Sequence, residues 1–279
     1  MTRRDDGPED APAPPTAEAT ARGWVGIAAN PASGSGRSRR KAEQLIASLG
    51  GLGYDATPAW TPGARAAMVA RANVDPSCRC LVAVGGDGTV SALINEKPRV
   101  PITILPTGTE NLAARHFRLK GDPDALARTI GEGRVVPVDV GLANDRRFLL
   151  MTGFGFDGDV VTRHHGARTS SGVLTTTHRA AYVEPILRSS LSYSFPRIAV
   201  RIEDPGAEET LIGTTVFAFN LPRYALNLPF APSARQDDGL LDLIVFRDPG
   251  PFQALYYLWR VVLGTHLQLA GVHHRRARK

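Results

Sequence analysis

The pattern of hydrophobic and polar positions changes near residue 133. Before that point, short apolar runs at residues 24–30, 54–60, 81–84 and 102–105 have the length of buried strands. Between these runs, residues 42–49 and 64–72 place apolar side chains at helical spacing, and a further helix is predicted from Thr109. Strands that alternate with helices indicate βαβ units and a parallel sheet.

After residue 133 the segments become shorter and are separated by turns. Strand-like stretches occupy residues 135–142, 148–153, 197–203, 211–220 and 240–246, with one helical insert near 178–191. Several short strands at this spacing favour an antiparallel sandwich. The predicted fold class is therefore α/β. An N-terminal parallel-sheet nucleotide-binding domain spans residues 23–133, and a C-terminal β-rich, sandwich-like domain spans residues 134–279.

Composition adds limits to this picture. The 279 residues are 43% hydrophobic and 22% charged, which is globular composition and enough chain for two domains. Residues 1–22 are acidic and rich in Ala, Pro and Thr, so they are predicted to be a disordered lead-in without the apolar core of a secretory signal. No stretch of about 18 uninterrupted apolar residues predicts a transmembrane helix. Residues 251–272 instead indicate a packed or interfacial helix.

Charge and cysteine usage bear on partners and location. The formal net charge is +6, with basic clusters at residues 37–41 and 273–279. These clusters indicate either a solvated face or attraction to nucleotide phosphates or to an anionic membrane surface. Neither aromatic interleaving nor a helix-turn-helix pattern supports a nucleic-acid partner. Cys78 and Cys80 are predicted to lie along the same side of a strand without a bridge, which favours a reducing cytoplasm.

The strongest chemical signal is the segment Gly85-Gly86-Asp87-Gly88-Thr89, directly after a predicted buried strand. Its three glycines allow the backbone to approach a polyphosphate closely and to direct N–H groups at it. Thr89 is predicted to begin a helix, whose N-terminus favours negative charge. Asp87 among such donors implies Mg²⁺ or proton transfer. The alternative is a tight strand-to-helix turn with an Asp cap.

Two further turns carry candidate phosphate donors. The loop Asn30–Gly36 supplies flexible backbone and hydroxyls, and no Gly-Lys-Ser/Thr follows at the spacing of a Walker loop. Thr109 and Asn111 follow the fourth predicted strand, on the same rim of the sheet as Asp87. Helix capping by a hydroxyl and an amide is the alternative role for this second pair.

These motifs resemble those of the diacylglycerol kinase catalytic-domain family, which includes bacterial lipid kinases and sphingosine kinases. Gly85–Thr89 is similar to a phosphate loop that NAD kinases share. Pro106–Asn111, Gly153–Gly158 and Asp237–Asp242, together with Asn30–Gly36, resemble motifs that separate lipid kinases from NAD kinases. The resemblance implies an ATP-dependent lipid kinase that phosphorylates a lipid hydroxyl, such as that of diacylglycerol, at a membrane surface. An NAD kinase-like enzyme and a catalytically weak nucleotide- or lipid-binding protein are the alternatives.

The resemblance also implies site residues. The positions that match its ATP-binding motifs are Asn30, Ser33, Gly34, Ser35, Gly36, Thr61, Gly85, Gly86, Asp87, Gly88, Thr89, Thr109 and Asn111. Asp87 is the implied catalytic residue. A structural Mg²⁺ in the second domain is implied at Asp238, with the backbone carbonyls of Arg235 and Leu240. The alternative is that Asp238 and the glycine after it form only a turn.

The chain departs from the family pattern at its end. Family members continue past a basic segment like residues 273–279 to an Asp-Gly-Glu type turn whose carboxylate is assigned as the base. The chain is therefore expected to lack the family's C-terminal catalytic segment, to bind ATP and to transfer phosphate poorly, with no base assigned. The expected location is cytoplasmic, or peripheral at the inner membrane, and a homodimer is left open.

Overall fold

The computed structural model describes residues 22–29, 36–162, 192–204 and 207–278. The predicted lead-in, apart from Arg22, and the predicted helical insert near 178–191 lie outside the described residues. Within the described ranges, no helix has both the length and the apolar character needed to cross a bilayer.

The first domain is built on a parallel sheet in the strand order β2-β1-β3-β4. Its elements in chain order are β1 (Trp24–Ala29), α1 (Arg37–Gly51), β2 (Asp55–Ala59), α2 (Pro62–Ala72), β3 (Cys78–Gly85), α3 (Asp87–Asn95), β4 (Ile102–Pro106), α4 (Leu112–His116) and α5 (Pro123–Glu132). Every residue of β1 is buried, which explains why its sequence is continuously apolar rather than alternating. The predicted α/β domain is confirmed.

Helices cover both faces of this sheet. Leu45 of α1 and Leu126 of α5 pack with Val82 on one face, and Met68 of α2 and Leu93 of α3 belong to the core on the other. Burying each large apolar side chain contributes about 1.5–3 kcal/mol, so the two layers hold the strands in register. Because the strands are parallel, their carboxyl ends meet at one edge, where the glycine-rich loops begin.

The second domain is antiparallel, as predicted. Its elements are β5 (Gly141–Ala143), β6 (Arg146–Phe148), β7 (Met151–Gly155), β8 (Ile198–Asp204), β9 (Ala207–Gly213), β10 (Thr215–Phe219), β11 (Leu241–Phe246), α6 (Pro251–Val262) and β12 (Val272–Ala277), and residues 156–162 are helical. One sheet has the order β12-β11-β10-β7, and β5–β6 and β8–β9 form two-stranded pairs. The basic segment at residues 273–279 thus supplies most of a strand at a sheet edge.

Three local predictions are wrong. Residues 135–140 are not a strand, and Val135 is 64% exposed, because this apolar stretch finds no strand to pair with. The predicted strand at 211–220 is divided into β9 and β10 at Thr214. The backbone N–H of Thr214 donates to the carbonyl of Phe246, the last residue of β11. The helix expected from Thr109 begins at Leu112, because the residues before it form a closed turn.

The two cysteines are also placed differently from the prediction. Both are buried and free. The pairing of β1 with β3 shifts register between Trp24 and Val25, which oppose Cys78 and Cys80. This irregularity turns the chain, so Cys78 packs in one core layer and Cys80 in the other.

Candidate active site

The loops after β3 and β4 touch each other through backbone atoms. A Cβ atom on Gly108 would lie 2.6 Å from the Cα of Gly86, too close for any residue other than glycine. The backbone N–H of Thr107 donates to the carbonyl of Gly85, which fixes the same contact. Glycine is therefore required at Gly108, and a Cβ on Gly86 would make a tight contact of 3.3 Å with the Cα of Gly108. The contact joins two of the predicted phosphate-binding motifs into one rim.

Asp87 connects this rim to the helix after β4. One oxygen of its carboxylate accepts a hydrogen bond from the N–H of Leu112 and the other from the N–H of Ala113, both at 3.0 Å. Asp87 thus caps α4, which satisfies two of the helix's free N–H groups. The sequence alternative of an Asp cap is observed, but on the following helix rather than its own. Each carboxylate oxygen keeps a lone pair for a further cation or proton.

Asn111 closes the turn before α4. Its side-chain Nδ2 donates to the carbonyl of Gly108 at 2.8 Å, and its Oδ1 accepts from the N–H of Gly108 at 3.0 Å. The residue has a left-handed backbone, with φ of 51°. Asn111 therefore holds the turn rather than capping the helix with its side chain, and Thr109 is exposed within the same turn.

A cavity of about 560 Å³ opens at the carboxyl ends of β1 and β2. It brings together three of the predicted ATP-binding residues, Thr61, Gly88 and Thr89. The Thr61 hydroxyl accepts from the N–H of Ala64 at 3.2 Å and so caps α2. A Cβ on Gly85 would lie 2.0 Å from Oγ1 of Thr89, so the glycine leaves room for the threonine side chain.

The predicted first loop is described only at its end. Gly36 precedes α1 with φ of 83°, a conformation that favours glycine, whereas Asn30, Ser33, Gly34 and Ser35 lie outside the described residues. The sequence reasoning missed a nearby pair of buried hydroxyls, Ser38 and Thr107, whose oxygens are 2.6 Å apart. Their contact joins the start of α1 to the turn after β4. Thr107 lies inside a recognised motif, which is the signal that could have found it.

A second, apolar cavity lies in the second domain and encloses about 970 Å³ of empty space, its open mouth included. Phe217 of β10, Phe246 of β11 and Leu258 of α6 line it, together with residues from the loop around Phe230. Phe217, Phe230 and Phe246 also pack against one another in the core of this domain. The cavity therefore has the aromatic and aliphatic walls typical of a site for an apolar ligand.

Asp157 is an ionisable group of this cavity, as is Asp248, and the sequence reasoning singled out neither. The Asp157 carboxylate lies against β7, and a Cβ on Gly153 would fall 2.2 Å from its Oδ2. Burial raises the pKa of Asp157 from 3.8 to about 6, although a hydrogen bond from the Tyr224 hydroxyl acts to lower that pKa. Asp157 belongs to the recognised Gly153–Gly158 motif. The motif could therefore have identified the residue, but not the burial of its carboxyl.

The residues predicted to hold a structural Mg²⁺ lie in a turn that is held by a hydrogen bond and ion pairs. Asp238 accepts from the N–H of Leu240 at 3.0 Å and pairs with the Arg276 guanidinium of β12, and Arg235 faces Asp237 at 3.7 Å. Across the described ranges no three His, Cys, Asp or Glu side chains gather into a metal-binding group. In the described residues the cation beside Asp238 is the Arg276 guanidinium, and the Mg²⁺ site stays a prediction.

Comparison with family models matches both domains. The model of the diacylglycerol kinase catalytic domain matches residues 25–143, and the model of the YegS C-terminal NAD kinase beta sandwich-like domain matches residues 153–279. The second match reaches the last residue of the chain. The prediction that the family's C-terminal segment is missing is therefore not supported.

Similar proteins cover most of the chain. A diacylglycerol kinase of Mycobacterium tuberculosis strain H37Rv is 29% identical over 266 residues, which are 92% of this chain and 84% of that protein. A diacylglycerol kinase of Staphylococcus carnosus is 26% identical over 262 residues, covering 89% and 81%.

Solved structures agree in fold. The crystal structure of a diacylglycerol kinase from Bacillus anthracis strain Sterne superposes with a TM-score of 0.64 at 22% identity, covering 93% of this chain and 85% of that one. Another structure from the same organism gives a TM-score of 0.70 at 21% identity, covering 95% and 85%. Residues 25–143 are thus similar to the diacylglycerol kinase catalytic domain and residues 153–279 to the YegS C-terminal domain, and diacylglycerol kinases align along most of the chain.

Proposed function

We propose that this chain transfers the γ-phosphoryl group of ATP to the hydroxyl of a lipid such as diacylglycerol, with Mg²⁺. Similarity of residues 25–143 to a kinase catalytic domain supports a nucleotide substrate. The observation that carries the lipid part is the apolar cavity of about 970 Å³ in the second domain. A polar acceptor gains little from such walls, whereas a buried acyl chain gains about 0.8 kcal/mol for each CH₂ group.

The nucleotide half of the proposal rests on the rim of the parallel sheet. Gly86 and Gly108 allow two backbone loops to converge, and the open space beside Gly88 leaves its backbone accessible to phosphate oxygens. The cavity that contains Thr61 and Thr89 lies beside this rim and is the proposed nucleotide pocket.

Magnesium would neutralise the phosphate oxygens and the charge that develops in phosphoryl transfer. Asp87 is the residue of the rim that would hold it. Its carboxylate is oriented by the N–H groups of Leu112 and Ala113, so it costs little reorganisation when a cation binds.

Asp157 is the proposed contact for the polar end of the lipid. It lines the apolar cavity together with Tyr224, which hydrogen-bonds its carboxylate. A carboxyl with a pKa of about 6 can accept a hydrogen bond or a proton from a substrate hydroxyl near neutral pH. Asp157 thus supplies a polar contact in a cavity whose walls are mostly apolar, with Thr214, Thr215 and Asp248 among its other polar lining residues.

An NAD kinase-like reaction is the second candidate. It is favoured by the description of the second domain as NAD kinase beta sandwich-like. NAD is a large polar acceptor and would gain little from the apolar cavity, whereas a lipid acceptor would bury its hydrocarbon there.

The test incubates the protein with labelled ATP, Mg²⁺ and, separately, diacylglycerol, sphingosine, ceramide or NAD. The expected result is labelled lipid and unlabelled NAD. Replacing Phe217 or Leu258 by Glu should abolish lipid labelling while ATP binding is retained, and the exposed-site variant Val74→Glu is the matched control. Labelling of NAD alone would overturn the proposal. ATP binding without any acceptor would favour the catalytically weak alternative.

A further inference from the structure

Helix α6 is apolar on two opposite faces. Its inner face buries Tyr257 and Val261 and contributes Leu258 to the apolar cavity. Its outer face consists of large exposed side chains spaced three or four residues apart, namely Phe252, Leu255, Tyr256, Trp259 and Val262. Phe252 is 86% exposed and Trp259 is 55% exposed. Residues at this spacing form one continuous stripe along a helix.

This outer face lacks a partner within the described residues. A helix that is apolar all round is normally buried in a protein core or in lipid, and contiguous exposed apolar patches mark interaction surfaces. The outer face of α6 therefore calls for an occupant outside the described chain.

The chemistry of the face favours a lipid bilayer. Tyr256 and Trp259 combine an apolar ring with a polar group, which suits the boundary between headgroups and acyl chains. The helix contains no Asp or Glu, and its one charged residue is Arg260. The Arg260 guanidinium lies over the Tyr256 ring, 5.9 Å from its centroid, and donates a hydrogen bond to the Thr265 hydroxyl just beyond the end of the helix. With a net charge of +6, the chain is attracted to anionic lipid.

The position of the face distinguishes a bilayer from a second copy of the chain. Leu255 is exposed on the outer side and also lines the apolar cavity. The helix is thus the wall between that cavity and its surroundings. A bilayer against α6 would place lipid beside this wall, whereas a second copy would cover it. This step rests on the proposed function, since it assumes that the cavity takes a lipid.

We propose that the outer face of α6 is the membrane-docking surface of this protein, inserted into the headgroup region of an anionic bilayer. The helix lies parallel to the membrane plane with Phe252, Trp259 and Val262 directed into the lipid. The substrate then reaches the cavity from the bilayer along the edge of α6 at Leu255.

Tryptophan fluorescence tests the proposal on the parent protein. Trp24 is buried at 2% exposure, Trp60 is partly buried, and Trp259 lies on the proposed surface. Vesicles of phosphatidylcholine and phosphatidylglycerol should shift the emission to shorter wavelength, and brominated acyl chains should quench it. Trp259→Phe should remove the quenched signal and keep vesicle binding. Binding without quenching of Trp259 would overturn the proposal.

Paired variants test the surface independently of the fluorescence. Phe252→Glu combined with Trp259→Glu should weaken partitioning onto these vesicles by at least about tenfold, because both charges would enter the interface. Val74→Glu, which places the same charge at another exposed apolar residue, should bind like the parent. Equal binding by all three proteins would overturn the proposal. The proposal would also be overturned if the parent sedimented as a dimer and only the doubly substituted protein, called the α6 variant, sedimented as a monomer. A second copy of the chain would then cover the face.

An activity comparison separates this inference from the proposed function. The α6 variant should phosphorylate a short-chain diacylglycerol dissolved as monomers at the parent rate, and lose activity on diacylglycerol embedded in vesicles. A parent that phosphorylates no lipid but shows quenching of Trp259 would refute the lipid-kinase proposal and support the docking surface. Equal loss on dissolved and embedded substrate would refute the docking role, because the substitutions would then act on the enzyme itself.

Discussion

Replacing Asp157 with Asn should stabilise the protein at neutral pH. The carboxyl has a pKa of about 6 in the folded protein, compared with 3.8 as its ordinary value, because burial penalises the charged form. Well below the ordinary pKa of 3.8, both the folded and the unfolded chain hold the proton, and ionisation costs no stability. As the pH rises, the unfolded chain loses its proton first, so the parent protein is progressively destabilised until the folded carboxyl also ionises above about pH 6.

The magnitude follows from the two pKa values. The difference between about 6 and 3.8, at about 1.4 kcal/mol for each pKa unit, corresponds to about 3 kcal/mol. Of this cost, about 2 kcal/mol develops between about pH 4.5 and pH 7.5. Asn cannot ionise, and its side-chain oxygen can still accept the hydrogen bond from Tyr224. The stability advantage of Asp157→Asn over the parent should therefore grow by about 2 kcal/mol across this interval.

Urea unfolding at several pH values measures this advantage. Asp145→Asn is the matched control, since it makes the same substitution at a carboxyl that is exposed in the turn between β5 and β6. Tyr224→Phe removes the hydrogen bond that lowers the pKa of Asp157, so its transition should move to higher pH. An advantage for Asp157→Asn that is constant with pH, or that shrinks as the pH rises, would refute the burial of this carboxyl.

Three further predictions concern the glycine rim and the second-domain turn. Gly108→Ala should lower ATP-dependent turnover by about tenfold or more and destabilise the fold by about 1–3 kcal/mol, because its Cβ would meet the Cα of Gly86 at 2.6 Å. Turnover and unfolding assays measure the two effects, and Gly50→Ala is the control because its new Cβ has open space around it. Asp87→Ala should abolish phosphoryl transfer and also cost about 1–3 kcal/mol, since the N–H groups of Leu112 and Ala113 lose their acceptor; full activity together with unchanged stability would contradict both roles. Asp238→Ala should reduce Mg²⁺-dependent thermal stabilisation, whereas Arg276→Ala should strengthen it by removing a competing cation; identical Mg²⁺ titrations for both variants and the parent would remove the proposed metal site.

The sequence by itself determined the two-domain architecture. The continuous apolar runs of β1 and β3 and the helical spacing in α1 and α2 are local patterns, and burial on both faces of a parallel sheet requires them. The same holds for the glycine-rich segments, because a tight turn beside a strand limits the choice of residue at each position.

Contacts between distant segments were decided only by the tertiary structure. Asp87 caps α4 across 25 residues of sequence, and Gly86 meets Gly108 because β3 and β4 are neighbours in the sheet. An apolar run such as 135–142 has strand composition, but a strand forms only where a partner supplies hydrogen bonds.

The electrostatic and surface properties also depend on tertiary packing. The pKa of Asp157 is raised because the folded chain buries its carboxyl beside β7 and Tyr224, and no local pattern encodes that desolvation. Likewise, the sequence of α6 shows an apolar helix, and only its placement shows which side faces the cavity and which remains exposed. Local periodicity specifies which elements form, whereas burial and electrostatic environment arise from segments that the fold alone brings together.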